Sequence, residues 1–202
     1  MTPTRIASDG DLIFEFHEPA ADNRQTPTDV QLQVSSHVLC SASKVFASML
    51  GPSSQFAEAV ALRDPTRKAP HVIKLEDAPE AMEIVMNAVH HRNSLVPRKL
   101  EFQDMVLVAE ICDKYDLYQA LYFVITAWKE GIALKDHTAD MLDKLSLAWV
   151  FRYEEVVSES TRLILLDGVC DEDGALIYAG KSLADALPEA LTGESFFPLR
   201  LH

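Results

Sequence analysis

The chain opens with two stretches that alternate. In "DLIFEF", residues 11–16, Leu12, Phe14 and Phe16 fall on one side, and in "DVQLQVS", residues 29–35, Val30, Leu32 and Val34 alternate with Asp29, Gln31, Gln33 and Ser35. A period of two predicts strands with one buried face each, and pairing them turns both apolar faces toward one core. "HEPAADNRQTP" between them is polar and holds Pro19 and Pro27, so it reads as a loose hairpin connection. From Ser36 the period changes. Val38, Leu39, Ala42, Val45, Phe46, Met49 and Leu50 recur at spacings of three and four, which predicts a helical path to Leu50.

Gly51, Pro52, Pro65 and Pro70 then forbid a long element, and "HVIKLED" at 71–77 is short and β-branched enough for a third strand. Asp77, Pro79 and Glu80 form a capping-box signature for a helix carrying Met82, Val85, Met86 and Val89 on one face and ending near "HHRNSLVP". Beyond Pro97 alternation disappears. Phe102, Met105, Val106, Ala109, Cys112 and Tyr115 make one helical stripe, which Leu107, Val108 and Ile111 broaden. Asp116 is the expected cap of the next helix, where Leu117, Leu121, Val124, Ile125 and Trp128 line up and Gly131 supplies a stop. Two further helical patterns cover 138–152 and 153–167, and the tail carries a short one near "SLADALPEAL". Strands first, helices afterwards and no regular strand–helix alternation predict an α+β fold, with helices gathered against a small three-stranded sheet.

Composition narrows the picture. At 202 residues and 48% hydrophobic, the chain is expected to form one domain, or one domain with an appended subdomain. A chain of this size hides roughly 70% of its unfolded surface on folding, so it needs no cofactor or disulfide to hold it together. Cys40, Cys112 and Cys170 are odd in number, far apart and set among apolar neighbours, which predicts buried free thiols in a reducing compartment. "MTPTRIASDGD" has no apolar leader, and the longest apolar run, "ALYFVITAW" at 120–128, is far short of the ~20 residues that span a bilayer. The expectation is a soluble intracellular protein, cytoplasmic or nuclear, with no membrane partner.

The net charge of −13 is uneven: residues 1–100 hold 10 basic and 12 acidic side chains (−2), leaving 8 basic and 19 acidic (−11) for the remainder. An acidic second half repels a phosphate backbone, and no basic stripe offsets it, so direct nucleic-acid binding is not expected.

Candidate chemistry is sparse. Ser41 and Lys44 in "SASK" have the S-x-x-K spacing of some acyl-transferring enzymes, but no S-D-N or K-T-G accompanies them, and the apolar stripe leaves Lys44 on the hydrated side. Asp171, Asp173 and Gly174 resemble part of a calcium loop, yet aligning them puts Val169 first and Gly180 last, where ligands are required. His90 and His91 would point about 100° apart on a helix, so they do not chelate as a pair and are expected on the surface at a helix end. No phosphate-cradling glycine loop, H-E-x-x-H or C-x-x-C occurs, so no metal or cofactor is implied.

Taken in order, "GDLIFEF", "VSSHVLCSASKVFASML", "FAEA", "VIKLED" and "VAEICDKYDLYQAL" resemble the BTB/POZ domain, in particular that of short fungal BTB proteins; Val38, Leu39, Ser43 and Phe46 match the family's core signature. The resemblance covers residues 10–130, and "LAWVFRYEEVV" and "LPEAL" are similar to the helical extension of fungal members, here 131–202. It implies a BTB fold in which the stretch 36–50 is a helical hairpin, with Val38, Leu39 and Phe46 beneath the sheet and Ser43 at the start of the second helix. It also implies a non-enzymatic protein-interaction module. BTB domains homodimerise, bind repressors or dock onto cullin scaffolds as substrate adaptors of ubiquitin ligases. Phe56-Ala57-Glu58 matches the hydrophobic-x-Glu element of cullin-binding members, which makes Phe56 and Glu58 the implied interaction residues.

The chain also departs from the family. Ser35-Ser36 stands where members carry His-Arg, so Asp11 lacks the partner of the charged pocket that transcriptional members use. The segment before Asp11 is too short and polar for the long helix that locks swapped dimers, and no kelch, zinc-finger or MATH-like pattern accompanies the module within the 202 residues. The alternatives are a self-assembling scaffold, a transcription-related BTB protein and, most distant, a serine acyl-transfer enzyme at Ser41 and Lys44.

Overall fold

The computed structural model describes residues 2–18, 28–129, 141–171 and 176–183. They belong to two compact units, Met1–Leu100 with Ile111–Trp128, and Glu101–Glu110 with Lys129–His202. The fold is α+β, as the order of patterns predicts.

In the first unit β1 (Thr4–Arg5) leads into β2 (Leu12–Glu18), which pairs antiparallel with β3 (Thr28–Val34), Phe14 opposite Leu32. Leu12, Phe14, Phe16, Leu32 and Val34 are all at most 1% exposed, so the alternation of the sequence is the alternation of burial. Three helices follow, α1 (Ser36–Ala42), α2 (Lys44–Leu50) and α3 (Ala57–Leu62), before β4 (His71–Leu75) returns parallel to β2 with Ile73 beside Phe14. β3 brings the chain back to the level of Leu12, where Val34 ends it and His71 begins β4, so the helices join two strand ends at the same end of the sheet.

The sheet has four strands in the order β1-β3-β2-β4, not the expected three. The extra strand is only two exposed residues long, too short to carry a pattern, and pairs parallel with β3 through Thr4 and Leu32. Between β1 and β2 the chain passes so close to β3 that a Cβ on Gly10 would lie 2.5 Å from the Val34 carbonyl oxygen. Glycine is the residue that fits there.

Helix α4 (Pro79–Val89) buries Met82, Val85, Met86 and Val89. Its N-cap is Ala78 and makes no side-chain cap, which corrects the capping-box expectation. Asp77 is engaged elsewhere, by the Tyr115 hydroxyl at 2.8 Å and the Lys114 ammonium at 2.8 Å. Helix α5 (Phe102–Lys114) buries the expected stripe from Met105 to Cys112, and its last residues belong to the first unit. Asp116 does not cap the next helix. It takes a left-handed φ of 49°, and the Leu117 and Asp116 amides donate to Cys112 and Asp113 carbonyls, a Schellman end to α5. Helix α6 (Tyr118–Lys129) starts after it and buries Leu121, Ile125 and Trp128, whose indole N–H donates to the Pro97 carbonyl.

The second unit contains α7 (Met141–Val150) and α8 (Glu154–Asp167), the two expected helices, around a core of Leu142, Leu145, Ile164 and Leu183. Against it pack Leu176 and Tyr178 of an antiparallel sheet, β5 (Val169–Cys170), β6 (Leu176–Tyr178) and β7 (Lys181–Ser182), which the sequence patterns did not predict. Of the three thiols expected to be buried, only Cys112 is: Cys40 is half-buried, and Cys170, in a two-residue strand, is exposed. The hairpin connection at 19–27, Gly131, the glycine and last aspartate of the calcium-like stretch, and the helical pattern near 182–191 beyond Leu183 lie outside the described residues.

Candidate functional site

The stretch 36–50 is two helices with a break at Ser43, whose backbone is extended at φ −142° and ψ 129°. The break has a cause. The Ser43 hydroxyl accepts the Phe46 N–H at 3.0 Å, capping α2, and donates to the Tyr115 carbonyl at 2.5 Å, tying the hairpin to the end of α5. Phe46 lies between two rings, 4.6 Å from Tyr115 and 5.8 Å from Phe14, and Leu39 and Phe46 are fully buried. Because the chain turns at Ser43, the stripe is not continuous: Val45 is 38% exposed, and Val38 lines a surface cavity instead of packing fully beneath the sheet.

Asp11 and His90 hold the other end of the hairpin. The Asp11 carboxylate accepts the Ser36 N–H at 2.8 Å and the Ser36 hydroxyl at 2.7 Å, so Asp11 has a partner in Ser36. That carboxylate caps α1, since Ser35 at the N-cap position makes no side-chain cap. His90 is half-buried, not a surface residue: its Nε2 accepts the Ser35 N–H at 3.0 Å, which leaves the proton on Nδ1, donated to the Met86 carbonyl at 2.9 Å. Burial lowers the His90 pKa, a shift that the Met86 carbonyl opposes and that the neighbouring His91 and Arg92 reinforce. Burial likewise raises the Cys40 thiol, with Asp11 adding to it, and pushes Cys112 to about 12, so neither is an activated nucleophile. The Tyr115 hydroxyl is held well above its usual range by burial and by its bond to Asp77.

Ser41 and Lys44 are both exposed. Ser41 lines a cavity of about 520 Å³ with His37, Val38, Val89, His91 and Gln119, and Lys44 is not part of that lining. The Ser41 hydroxyl donates to the His37 carbonyl at 3.1 Å, the back-bond a helical serine commonly makes. Among the described residues no group of three or more His, Cys, Asp or Glu is arranged to hold a metal ion. No helix of the described residues is long and apolar enough to cross a membrane.

The implied interaction residues sit on a third piece of this unit. Phe56 is the N-cap of α3 and 59% exposed, Glu58 lies half-buried in the first turn, and Val60 is 53% exposed. Phe56 and Val60 are four residues apart, so they share a face of the helix. Sequence reasoning missed Val60 because a six-residue helix between prolines is too short to show a period. Tyr122 and Phe123 fall off the apolar line of α6, and only the fold shows how far they stand out, 46% and 84% exposed. No protein-family model matches the chain, and no curated protein matches it.

Proposed function

We propose that this chain is a BTB-type protein-interaction module without a catalytic centre, that it docks a cullin scaffold through Phe56 and Glu58, and that it serves there as a substrate adaptor. The observation that carries the reading is Phe56, a large aromatic 59% exposed at the head of α3 with Glu58 in the following turn. A solvent-facing phenylalanine loses its hydration only when a partner covers it. The arrangement of elements supports the same reading: an antiparallel pair, a two-helix hairpin hinged at a capping serine, and a strand returning parallel to the first. The proposed site of action is the cytoplasm or nucleus.

The test is retention of a purified cullin N-terminal domain by the immobilised chain. Wild type retains it, and Phe56→Ala weakens retention by about thirty-fold, the effect of losing an aromatic anchor of ~2 kcal/mol. Equal retention by wild type and by the Phe56→Ala/Glu58→Ala double variant would remove both residues from the proposal. A serine acyl-transfer reading is kept distinct by an acylating activity probe: labelling that disappears with Ser41→Ala would favour it, and none is expected.

A further inference from the structure

We infer that Arg63 is the positioning residue of the Phe56 docking surface, holding the 51–56 loop so that the aromatic ring is presented in one orientation; the inference rests on the docking reading of Phe56. Arg63 is the C-cap of α3, and its backbone N–H donates to the Ala59 carbonyl at 3.1 Å. Its side chain reaches back past the start of the same helix. Nη1 donates to the Pro52 carbonyl at 2.7 Å and to the Gly51 carbonyl at 3.4 Å, while Nη2 donates to the Ser54 carbonyl at 2.8 Å. One guanidinium therefore gathers three carbonyls from a loop that has no helix or strand of its own.

The chain of contacts runs on to the aromatic. The Ser54 hydroxyl donates to the Met49 carbonyl at the end of α2 and accepts the Phe56 N–H, both at 3.2 Å. Phe56 thus takes its backbone position from Ser54, and Ser54 is held by Arg63. Gly51 completes the fit: a Cβ there would press into the Ala47 carbonyl oxygen, so the turn out of α2 requires the bare backbone. An exposed ring has little packing to fix it, and fixing its backbone beforehand lowers the ordering cost when a partner covers it. Arginine suits this task because its planar fork engages several carbonyls at once, whereas a lysine is a point charge on a flexible stem. Arg63 itself is exposed, so replacing it leaves the buried core untouched.

Two measurements on the full chain judge the inference. In hydrogen exchange of the free protein, Arg63→Met raises the exchange rate at residues 54–58 by about tenfold and leaves β2 and β3 amides at wild-type rates, with Arg63→Lys in between. In binding to the cullin N-terminal domain, Arg63→Met weakens affinity by about five- to tenfold on the wild-type background and adds no further loss to Phe56→Ala, the coupling expected of residues acting as one unit. Unchanged exchange at 54–58, or an equal rise across the whole chain, overturns the clamp. Additive losses in the double variant overturn its action through Phe56. A wild-type chain that fails to bind the cullin domain overturns the partner instead, while the exchange result still decides whether Arg63 orders the loop.

Discussion

Two serines two positions apart in "SASK" have opposite fates. Ser43 is 3% exposed and serves the Phe46 N–H and the Tyr115 carbonyl together, whereas Ser41 is exposed and bonds only its own helix. Ser43→Ala is expected to cost about 1–3 kcal/mol, since it removes a cap and leaves a buried carbonyl unpaired, and Ser41→Ala about 0.5 kcal/mol or less, both read from urea denaturation. Leu39→Ala should cost about 2–5 kcal/mol as a cavity, while Lys44→Ala should fall within about 0.5 kcal/mol. The periodicity gave away Leu39 and Phe46. It did not give away Ser43's second bond, because Tyr115 lies 72 residues on. The same distance problem hid His90, which binds across to Ser35 with His91 and Arg92 beside it. Its folded pKa lies below the ordinary 6.5, so on acidification the unfolded chain takes up the proton first. Stability contributed by neutral His90 is therefore full above 6.5, falls as the pH drops below that value, and is gone once the pH passes below the folded pKa. A His90→Gln variant should show a shallower loss over this window in denaturation midpoints measured at successive pH values.

Helix ends explain most of the boundary differences between pattern and fold. Helices α4, α5 and α7 are followed by residues in the left-handed region, His91 at φ 59°, Asp116 at φ 49° and Arg152 at φ 56°, and each end carries the paired amide-to-carbonyl bonds of a Schellman motif. Glycine normally marks such positions, and with seven in the whole chain the usual marker is missing. Without that marker the sequence pattern places Asp116 at the start of α6, whereas it is the end of α5. His91→Gly should relieve the left-handed strain and raise stability by about 0.5–1 kcal/mol after the entropy of the glycine is set against it, visible as a higher denaturation midpoint at constant slope. An unchanged or lower midpoint would mean that the φ of 59° costs the native chain little. Strands were legible where they alternated over five or more residues, as in β2 and β3. The two-residue strands β1, β5 and β7 exist only through their pairing partners, and no local pattern announces them.

At the scale of the whole chain, net charge and exposed aromatics act in opposition. A charge of −13 keeps copies apart, yet Phe123 is 84% exposed and makes an edge contact with Tyr122, and Phe56 and Val60 add a second apolar stripe on α3. The sequence displayed the charge in full and implied Phe56 through its resemblance. Within "ALYFVITAW" helical phase already separates Phe123 from the inward Leu121 and Ile125, but phase does not give the degree of its exposure. Repulsion scales with the square of net charge and vanishes at the isoelectric point, near pH 4.9, while the attraction of apolar surface does not depend on pH. The apparent mass from static light scattering is therefore expected to stay at one value around pH 8 in low salt and to climb as the pH is brought toward 5. Phe123→Ser should flatten that climb, and should do so without moving the denaturation midpoint at pH 8, because the ring contributes almost nothing to the buried core. The His90 component of acid destabilisation is common to both proteins, so it cancels in the comparison. A climb of equal steepness in the variant would place the sticking surface elsewhere, with Phe56 and Val60 the next pair to replace.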